Sequence, residues 1–323
     1  MNIGDFELGN KVFIIAELSA NHNGSLDNAI NTIRAAKRAG ANCIKLQTYT
    51  PDTLTIDSNK SDFIIKSDSI WDGLNYYELY KKAYTPWKWH STLFEEAKKQ
   101  GLICFSSPFD KTAVDFLETL NVPAYKIASF EITDIPLIEY VASKGKPIII
   151  STGIANIEDI ELAIKACVKK ENSNIILLKC TSSYPAPIEE SNICMIRDLA
   201  ERFNVISGLS DHTLGSTVPI LAVAFGARCP RIPASKSIID LPNAIGSSAI
   251  CFIVDASSIT SGIKLNRALG TSKSSPSSTS FVVETMSSTP FISGFSTLFQ
   301  TLPNIPFILS LSYFVLLAYP SSR

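Results

Sequence analysis

The strongest constraint in this sequence is a repeated alternation of short, continuously apolar runs with amphipathic stretches of helical period. The runs occupy residues 12–18, 42–48, 102–105, 124–127, 147–151, 175–179 and 205–209. They are rich in Ile, Val and Leu and lack the apolar–polar alternation of a half-exposed strand, so each reads as a strand covered on both faces. The stretches between them read as helices. In 26–39, Ala29, Ile30, Ile33 and Ala36 recur at helical spacing and Gly40 supplies a stop. Residues 110–120, 134–143, 157–170, 189–202 and 216–225 follow the same pattern. Strand–helix units in this succession predict an α/β chain folded as a (β/α)8 barrel, a TIM barrel, rather than an open doubly wound sheet. The turn after Leu18 reads SANHNG and has no Gly-x-Gly-x-x-Gly, which leaves dinucleotide binding unsupported. Residues 49–84 form a long insertion after the second strand, a lid or hairpin carrying Trp71.

In such a barrel the functional groups stand at the C-terminal ends of the strands, and there this sequence places polar residues that a core would not use. Strand one ends in Glu17, with Asn21 and His22 beyond it. Lys45 and Gln47, two apart, share one face of strand two. Ser106, Ser107 and Asp110 follow strand three, and Lys126, Ser129 and Glu131 lie on and after strand four. Ser151 ends strand five, Lys179 to Tyr184 end strand six, and Ser210, Asp211 and His212 end strand seven. One lysine in such a place reads equally well as a snorkelling surface residue. Lys45, Lys126 and Lys179 together predict ammonium groups around one mouth, and buried charges need partners, so the expected ligand is strongly anionic. Ser107, Ser129, Ser151 and Ser210 suit phosphate oxygens beside helix N-termini, and as single residues they suit helix N-caps equally.

Glu17 and Glu131 suit either acid–base work or the binding of polyol hydroxyls. His212, one of three histidines, suits a metal or an acid–base role, whereas His90, in a helical stretch with Trp87 and Trp89, reads as structural. A phosphate-bearing anion is thus the implied substrate class. The formal net charge of −1 gives no reason to expect nucleic acid. Seven cysteines without paired spacings fit reduced thiols, and no basic, apolar leader opens the sequence, so the cytoplasm is the expected location.

Seven longer motifs carry a resemblance. They are AELSANHNGS (16–25), IKLQTYTPDT (44–53), FSSPFD (105–110), VPAYKIASFEITD (122–134), KPIIISTGIA (146–155), LLKCTSSYPAP (177–187) and GLSDHTLG (208–215). Over residues 10–226 the chain resembles the sialic acid synthase family, most closely its pseudaminic acid synthase branch. The resemblance implies a metal-dependent transferase that condenses phosphoenolpyruvate with an open-chain acetamido sugar, forming a carbon–carbon bond and releasing phosphate by C–O cleavage. Lys45, Ser107, Lys126, Ser129, Ser151 and Ser210 then match the phosphoenolpyruvate pocket. Ser182 stands where the sialic branch has Asn and faces the same phosphate. Glu17, Gln47, Glu131 and Tyr184 match groups that handle the sugar and the proton transfers, with Glu17 as the proton-transferring carboxylate. His212 matches one of two histidine ligands for Mn2+ or Mg2+. The SANHNG, TYTPDT and TPWKWH (85–90) wording points to a 2,4-diacetamido-2,4,6-trideoxy-L-altrose over N-acetylmannosamine. An N-acetylneuraminate or legionaminate synthase, or a catalytically impaired barrel, are the alternatives. The resemblance also implies a homodimer.

Beyond residue 226 the sequence departs from that pattern. The family follows the seventh helix with a strand ending Glu-Lys-His-Phe, whose histidine is the second metal ligand; here Arg231 takes the glutamate position and Pro233 the histidine position. No histidine follows His212, and two prolines in a central strand each remove a ladder donor. The eighth strand is therefore unrecognisable, and 228–270 is an atypical end to a barrel domain spanning 1–270. Residues 271–323 read as a Ser/Pro-rich linker and an apolar tail in place of the family's antifreeze-like domain. Residues 305–319 are short for a membrane span of about 20 residues, so a span is not expected. An altered reading frame after residue 227 implies weak metal binding and low activity in the chain as written; genuine divergence requires another ligand, such as Asp240 or Asp255.

Overall fold

The computed structural model describes residues 1–9, 11–66 and 71–233 of the chain. Eight parallel strands close on themselves: β1 (Ile15–Glu17), β2 (Cys43–Thr48), β3 (Ile103–Pro108), β4 (Tyr125–Ile127), β5 (Ile148–Ser151), β6 (Ile175–Cys180), β7 (Ile206–Ser210) and β8 (Cys229–Pro233). Each pairs with its sequence neighbours, and β8 pairs with both β7 and β1. The barrel expected from the apolar runs is therefore present. Side chains on both faces of the strands are buried, Ile148, Ile149 and Ile150 alike, because the axis side packs against other strands and the outer side against helices. Strand three runs three residues further than its apolar pattern indicated. Ser106, Ser107 and Pro108 continue the pairing with Leu46, Gln47 and Thr48, and their polarity disguised them as loop.

The eighth strand, unrecognisable from sequence, forms in the backbone. A proline removes one donor and keeps its carbonyl, so Cys229–Pro233 retains the amides of Cys229, Arg231 and Ile232. Its start is fixed from both sides: Arg228 donates to the Ser207 carbonyl and accepts from the Phe13 amide, each at 2.9 Å. Residues 234–323, and with them the expected linker, apolar tail and domain boundary at 270, lie outside the described residues. Among the described residues, no helix is long and apolar enough to cross a membrane.

The helices form where the 3.6-residue period predicts them. Leu26–Arg38 is capped by the Ser25 hydroxyl, which accepts from the Asn28 amide at 3.3 Å, and it ends where Gly40 takes a positive φ. The expected helix at 189–202 is a short 3-10 turn (Ile188–Glu190) followed by a helix at Met195–Phe203. The insertion carries α-helical segments at Pro51–Leu54 and Tyr76–Ala83 and a 3-10 turn at Ser61–Phe63. Asn75 ties them together: its side chain caps the second by accepting from the Glu78 amide at 2.8 Å and donates to Asn59 Oδ1 at 3.1 Å. The Tyr77 hydroxyl donates to Asp52 Oδ1 at 3.1 Å.

A buried polar chain joins the ends of β2 and β3 to the helix Trp87–Lys99. The Thr48 hydroxyl lies 2.9 Å from His90 Nε2 and 2.7 Å from Ser106 Oγ, and His90 is fully buried, the structural role its setting indicated. Burial pulls the His90 pKa down to about 4. An unfolded chain takes up that proton near the ordinary histidine value of about 6.5, so stability is lost as pH falls from there toward 4, by about 3 kcal/mol at full effect. The urea midpoint of the wild type is expected to drop across this interval and that of His90→Gln to drop less. Parallel curves for the two proteins contradict the assignment.

Candidate active site

The site begins with two opposite charges at one level of the barrel. Glu17 closes β1 and Lys45 lies in register beside it on β2, so strand alternation sends both side chains to the axis. The Lys45 ammonium stands 2.9 Å from Glu17 Oε2 and donates to Ser107 Oγ at 3.2 Å, and both charged side chains are buried. Gln47, in register with Ser107, is half-buried on the same face. A second ammonium enters from β4: Lys126, 1% exposed, donates to Ser151 Oγ at 2.6 Å and to the Ile127 carbonyl at 2.7 Å. Two ammonium groups in one desolvated mouth favour a multiply charged anion.

Hydroxyls continue the mouth toward β7. The Ser129 and Ser182 hydroxyls lie 2.9 Å apart, and Ser129 Oγ also accepts from the Ile154 amide at 3.2 Å. Gly153 makes this approach possible. A methyl group there would overlap the Ser182 hydroxyl and stand 2.6 Å from Ser129 Oγ and 3.1 Å from Cys180 Sγ. Ser210 is buried in register with Cys180. Glu131, just after β4, is half-buried, and its Oε2 has no hydrogen-bond partner among the described residues. Burial raises its pKa above the ordinary carboxyl range, against the pull of the Lys126 and Lys45 charges, so its protonated form persists to higher pH.

His212 is held in a defined tautomer. A carbonyl only accepts, so Nδ1–H donates to the Thr181 carbonyl at 2.8 Å, and Nε2 accepts from the Tyr184 hydroxyl at 2.7 Å. That is the second-sphere arrangement of a metal-binding imidazole. The rest of a metal site is not there: among the described residues no group of three or more His, Cys, Asp and Glu side chains converges. Pro233, the position matched to the second histidine, is the residue in register with Glu17 and has no donor atom. Of the two expected histidine ligands the described residues supply His212, and they do not fit a complete Mn2+ or Mg2+ centre.

Twelve residues were expected in the site, and the structure gathers them around one end of the barrel in three groups: Glu17, Lys45, Gln47 and Ser107; Lys126, Ser151 and Glu131; Ser129, Ser182, Ser210, Tyr184 and His212. The expectation of a third lysine at the mouth is corrected. Leu178 is in register with Ser151 and Cys180 with Ser210, so Lys179 between them faces the helical layer. There its ammonium donates to the Cys180 carbonyl at 2.9 Å and Thr181 Oγ1 at 3.0 Å, and burial lowers its pKa. His22 also turns away from solvent: Nδ1 accepts from the Gly24 amide at 3.1 Å and the ring packs edge-on to Trp89 at 5.4 Å. Sequence reading missed Gly153, whose only signal is its place directly after a strand-ending Ser-Thr pair, and Cys180, whose parity with Ser182 held the clue.

A closed parallel barrel with two buried ammonium groups, a row of inward hydroxyls and an unspent carboxyl oxygen at one end is a (β/α)8 protein whose mouth suits a multiply charged anion. The NeuB family model matches residues 32–229. The pseudaminic acid synthase of Campylobacter jejuni is 52% identical over 228 residues, covering 71% of this chain and 66% of that protein. The pseudaminic acid synthase of Helicobacter pylori is 52% identical over 214 residues, covering 66% of this chain and 63% of that protein. Among solved structures, the N-acetylneuraminic acid synthetase of Leptospira borgpetersenii in complex with citrate matches with a TM-score of 0.67 at 31% identity, covering 86% of this chain and 92% of that one. The chain belongs to the NeuB family of sialic acid synthases. It spans 63–66% of the length of these two curated relatives.

The Gly153 contact is directly testable. Gly153→Ala is expected to separate Ser129 from Ser182 and to weaken binding of a multiply charged anion, with phosphoenolpyruvate as the probe, by about tenfold, the loss of one charge-assisted hydrogen bond. Calorimetric titration measures it, and unchanged affinity in a folded variant removes these hydroxyls from the pocket.

Proposed function

We propose that this chain is a pseudaminic acid synthase, an enzyme that joins phosphoenolpyruvate to 2,4-diacetamido-2,4,6-trideoxy-L-altrose. The observation that carries this reading is the pairing of Lys45 with Ser107 and of Lys126 with Ser151, two ammonium–hydroxyl couples buried in one mouth. They suit the phosphate and carboxylate of phosphoenolpyruvate, and 52% identity to two pseudaminic acid synthases favours that branch over an N-acetylneuraminate or legionaminate synthase. Phosphoenolpyruvate is a metabolite of the cytoplasm, which is where we place the reaction; a homodimer is part of the same proposal.

The reaction needs three things from the protein. The enol carbon of phosphoenolpyruvate attacks the sugar aldehyde, water adds to the resulting cationic C2, and the tetrahedral intermediate expels phosphate with its bridging oxygen. Lys45 and Lys126, with Ser107, Ser129, Ser151, Ser182 and Ser210, hold the anion and balance the charge that builds on the departing phosphate, a contribution of about 3 kcal/mol for one well-placed donor. Glu131 has an open oxygen and a raised pKa, so it is suited to give a proton to the aldehyde oxygen as the carbon–carbon bond forms. Glu17, held as a carboxylate by Lys45, is suited to take the proton from the attacking water. Gln47 and Tyr184 line the sugar side.

A second reading is favoured by Pro233 standing in register with Glu17: a barrel that binds phosphoenolpyruvate and turns over poorly because its divalent cation has His212 alone. The deciding experiment incubates the full chain with Mn2+, the diacetamido sugar and phosphoenolpyruvate labelled with 18O at the bridging position. Labelled phosphate in the product supports the synthase; phosphoenolpyruvate binding without phosphate release, and no high-affinity Mn2+ by electron paramagnetic resonance, supports the impaired barrel. Glu131→Gln gives a further expectation. Its stability gain over wild type should grow as pH rises from the ordinary carboxyl range through the raised Glu131 pKa, because wild type must then ionise a buried group. Urea denaturation at pH 4 and pH 7 reads this out, and an equal difference at both values contradicts it.

A further inference from the structure

The insertion places an aromatic row over the mouth that the reaction scheme above does not use. Tyr49 directly follows β2, with its main-chain carbonyl held by Trp87 Nε1–H at 3.1 Å. Its ring packs edge-on against Phe109, just beyond β3, at 5.4 Å and against Tyr80 of the helix Tyr76–Ala83 at 5.9 Å; Tyr80 in turn stacks on Tyr76 at 6.4 Å. The row therefore runs from the barrel rim onto the insertion. Tyr77 on the same helix is anchored through its hydroxyl to Asp52, which fixes which face of the helix Tyr80 presents.

Tyr80 is half-buried. Burial raises its phenol pKa, and the charges of Tyr76 and then of the Glu131 carboxyl add to that effect. Glu131 Oε2 is itself buried and without a partner among the described residues. A buried carboxyl oxygen left without a partner costs about 1–3 kcal/mol unless a ligand completes it. An aromatic row at the rim together with an unpartnered carboxyl oxygen suits a ligand that carries both methyl and hydroxyl groups.

We propose that Tyr80 is a specificity-determining residue of this site, its ring packing on a methyl group of the diacetamido sugar while its hydroxyl and Glu131 bind the sugar's polar groups. This rests on the condensing reading above. The same surface fits a monoacetamido, hydroxymethyl sugar such as N-acetylmannosamine less well, because a hydroxymethyl group against the ring gives up hydrogen bonds to water.

The test is calorimetric titration of the diacetamido sugar into the full chain saturated with phosphoenolpyruvate, for wild type, Tyr80→Phe and Tyr80→Ala. Phosphoenolpyruvate affinity is measured separately for each. In Tyr80→Phe the sugar Kd is expected to rise about tenfold through the lost hydrogen bond, and in Tyr80→Ala on the order of a hundredfold through loss of the ring as well. Phosphoenolpyruvate Kd should stay within about twofold in both, a change of well under 1 kcal/mol. The preference over N-acetylmannosamine should shrink in Tyr80→Ala. Wild-type sugar affinity in both variants overturns the role of Tyr80 and leaves the synthase reading standing. A wild-type chain that binds phosphoenolpyruvate and neither sugar overturns both.

Discussion

The structure depends on how two lysines are kept charged inside a barrel. Lys45 and Lys126 are 2% and 1% exposed, and removing an ammonium ion from water costs several kcal/mol even after relaxation, by rough estimate. The Glu17 carboxylate, two serine hydroxyls and the carbonyls of Leu46 and Ile127 offset part of that cost. An apolar replacement of such a cluster is often as stable or more so. Stability alone therefore gives no reason for these groups to be buried here, whereas anion binding does. The strands on either side follow from this need: only the C-terminal end of a parallel barrel lets several strands bring short polar side chains to the same ammonium groups.

Much of that was legible beforehand, because a strand has a period of two. Lys45 and Gln47, or Ser151 and Ile149, declare their shared face from spacing alone. The continuous Ile and Leu runs at 147–151 and 175–179 declare burial on both faces. What spacing within one strand does not supply is the phase between strands. Lys179 looks like Lys45 in its own run, and only the register of Leu178 with Ser151 shows that it faces outward. The Glu17–Lys45 pair is likewise a property of register, since 28 residues and a helix separate the two in sequence.

Other features were hidden for different reasons. Thr48, Ser106 and His90 form a buried polar chain, yet each is an unremarkable residue in a different element, and polarity at Ser106 and Ser107 made β3 look shorter than it is. Gly153 has no side chain to betray its role, which is to leave room for two hydroxyls. The eighth strand failed the propensity test through Pro230 and Pro233, and forms because closure of a barrel supplies pairing partners on both sides. Tertiary context outweighs local preference most strongly where a strand is the last piece of a closed sheet.

The two sides of the mouth differ in how far their polar groups are already satisfied, and this bears on the order of binding. On the anion side, Lys45, Lys126, Ser107, Ser151, Ser129 and Ser182 hold one another in place, so an arriving phosphate exchanges hydrogen bonds within a pre-positioned set and little ordering is needed. On the insertion side, Glu131 Oε2 awaits a partner. A charged phosphate placed first gives the two lysines a stronger counter-ion and lessens their hold on Glu131, one of the charges that lower its pKa. The anion's arrival thereby favours the protonated form of Glu131, the form able to donate to a sugar aldehyde. For the proposed synthase, phosphoenolpyruvate before sugar is the order this electrostatic arrangement favours, because the anion itself prepares the acid that the second substrate needs.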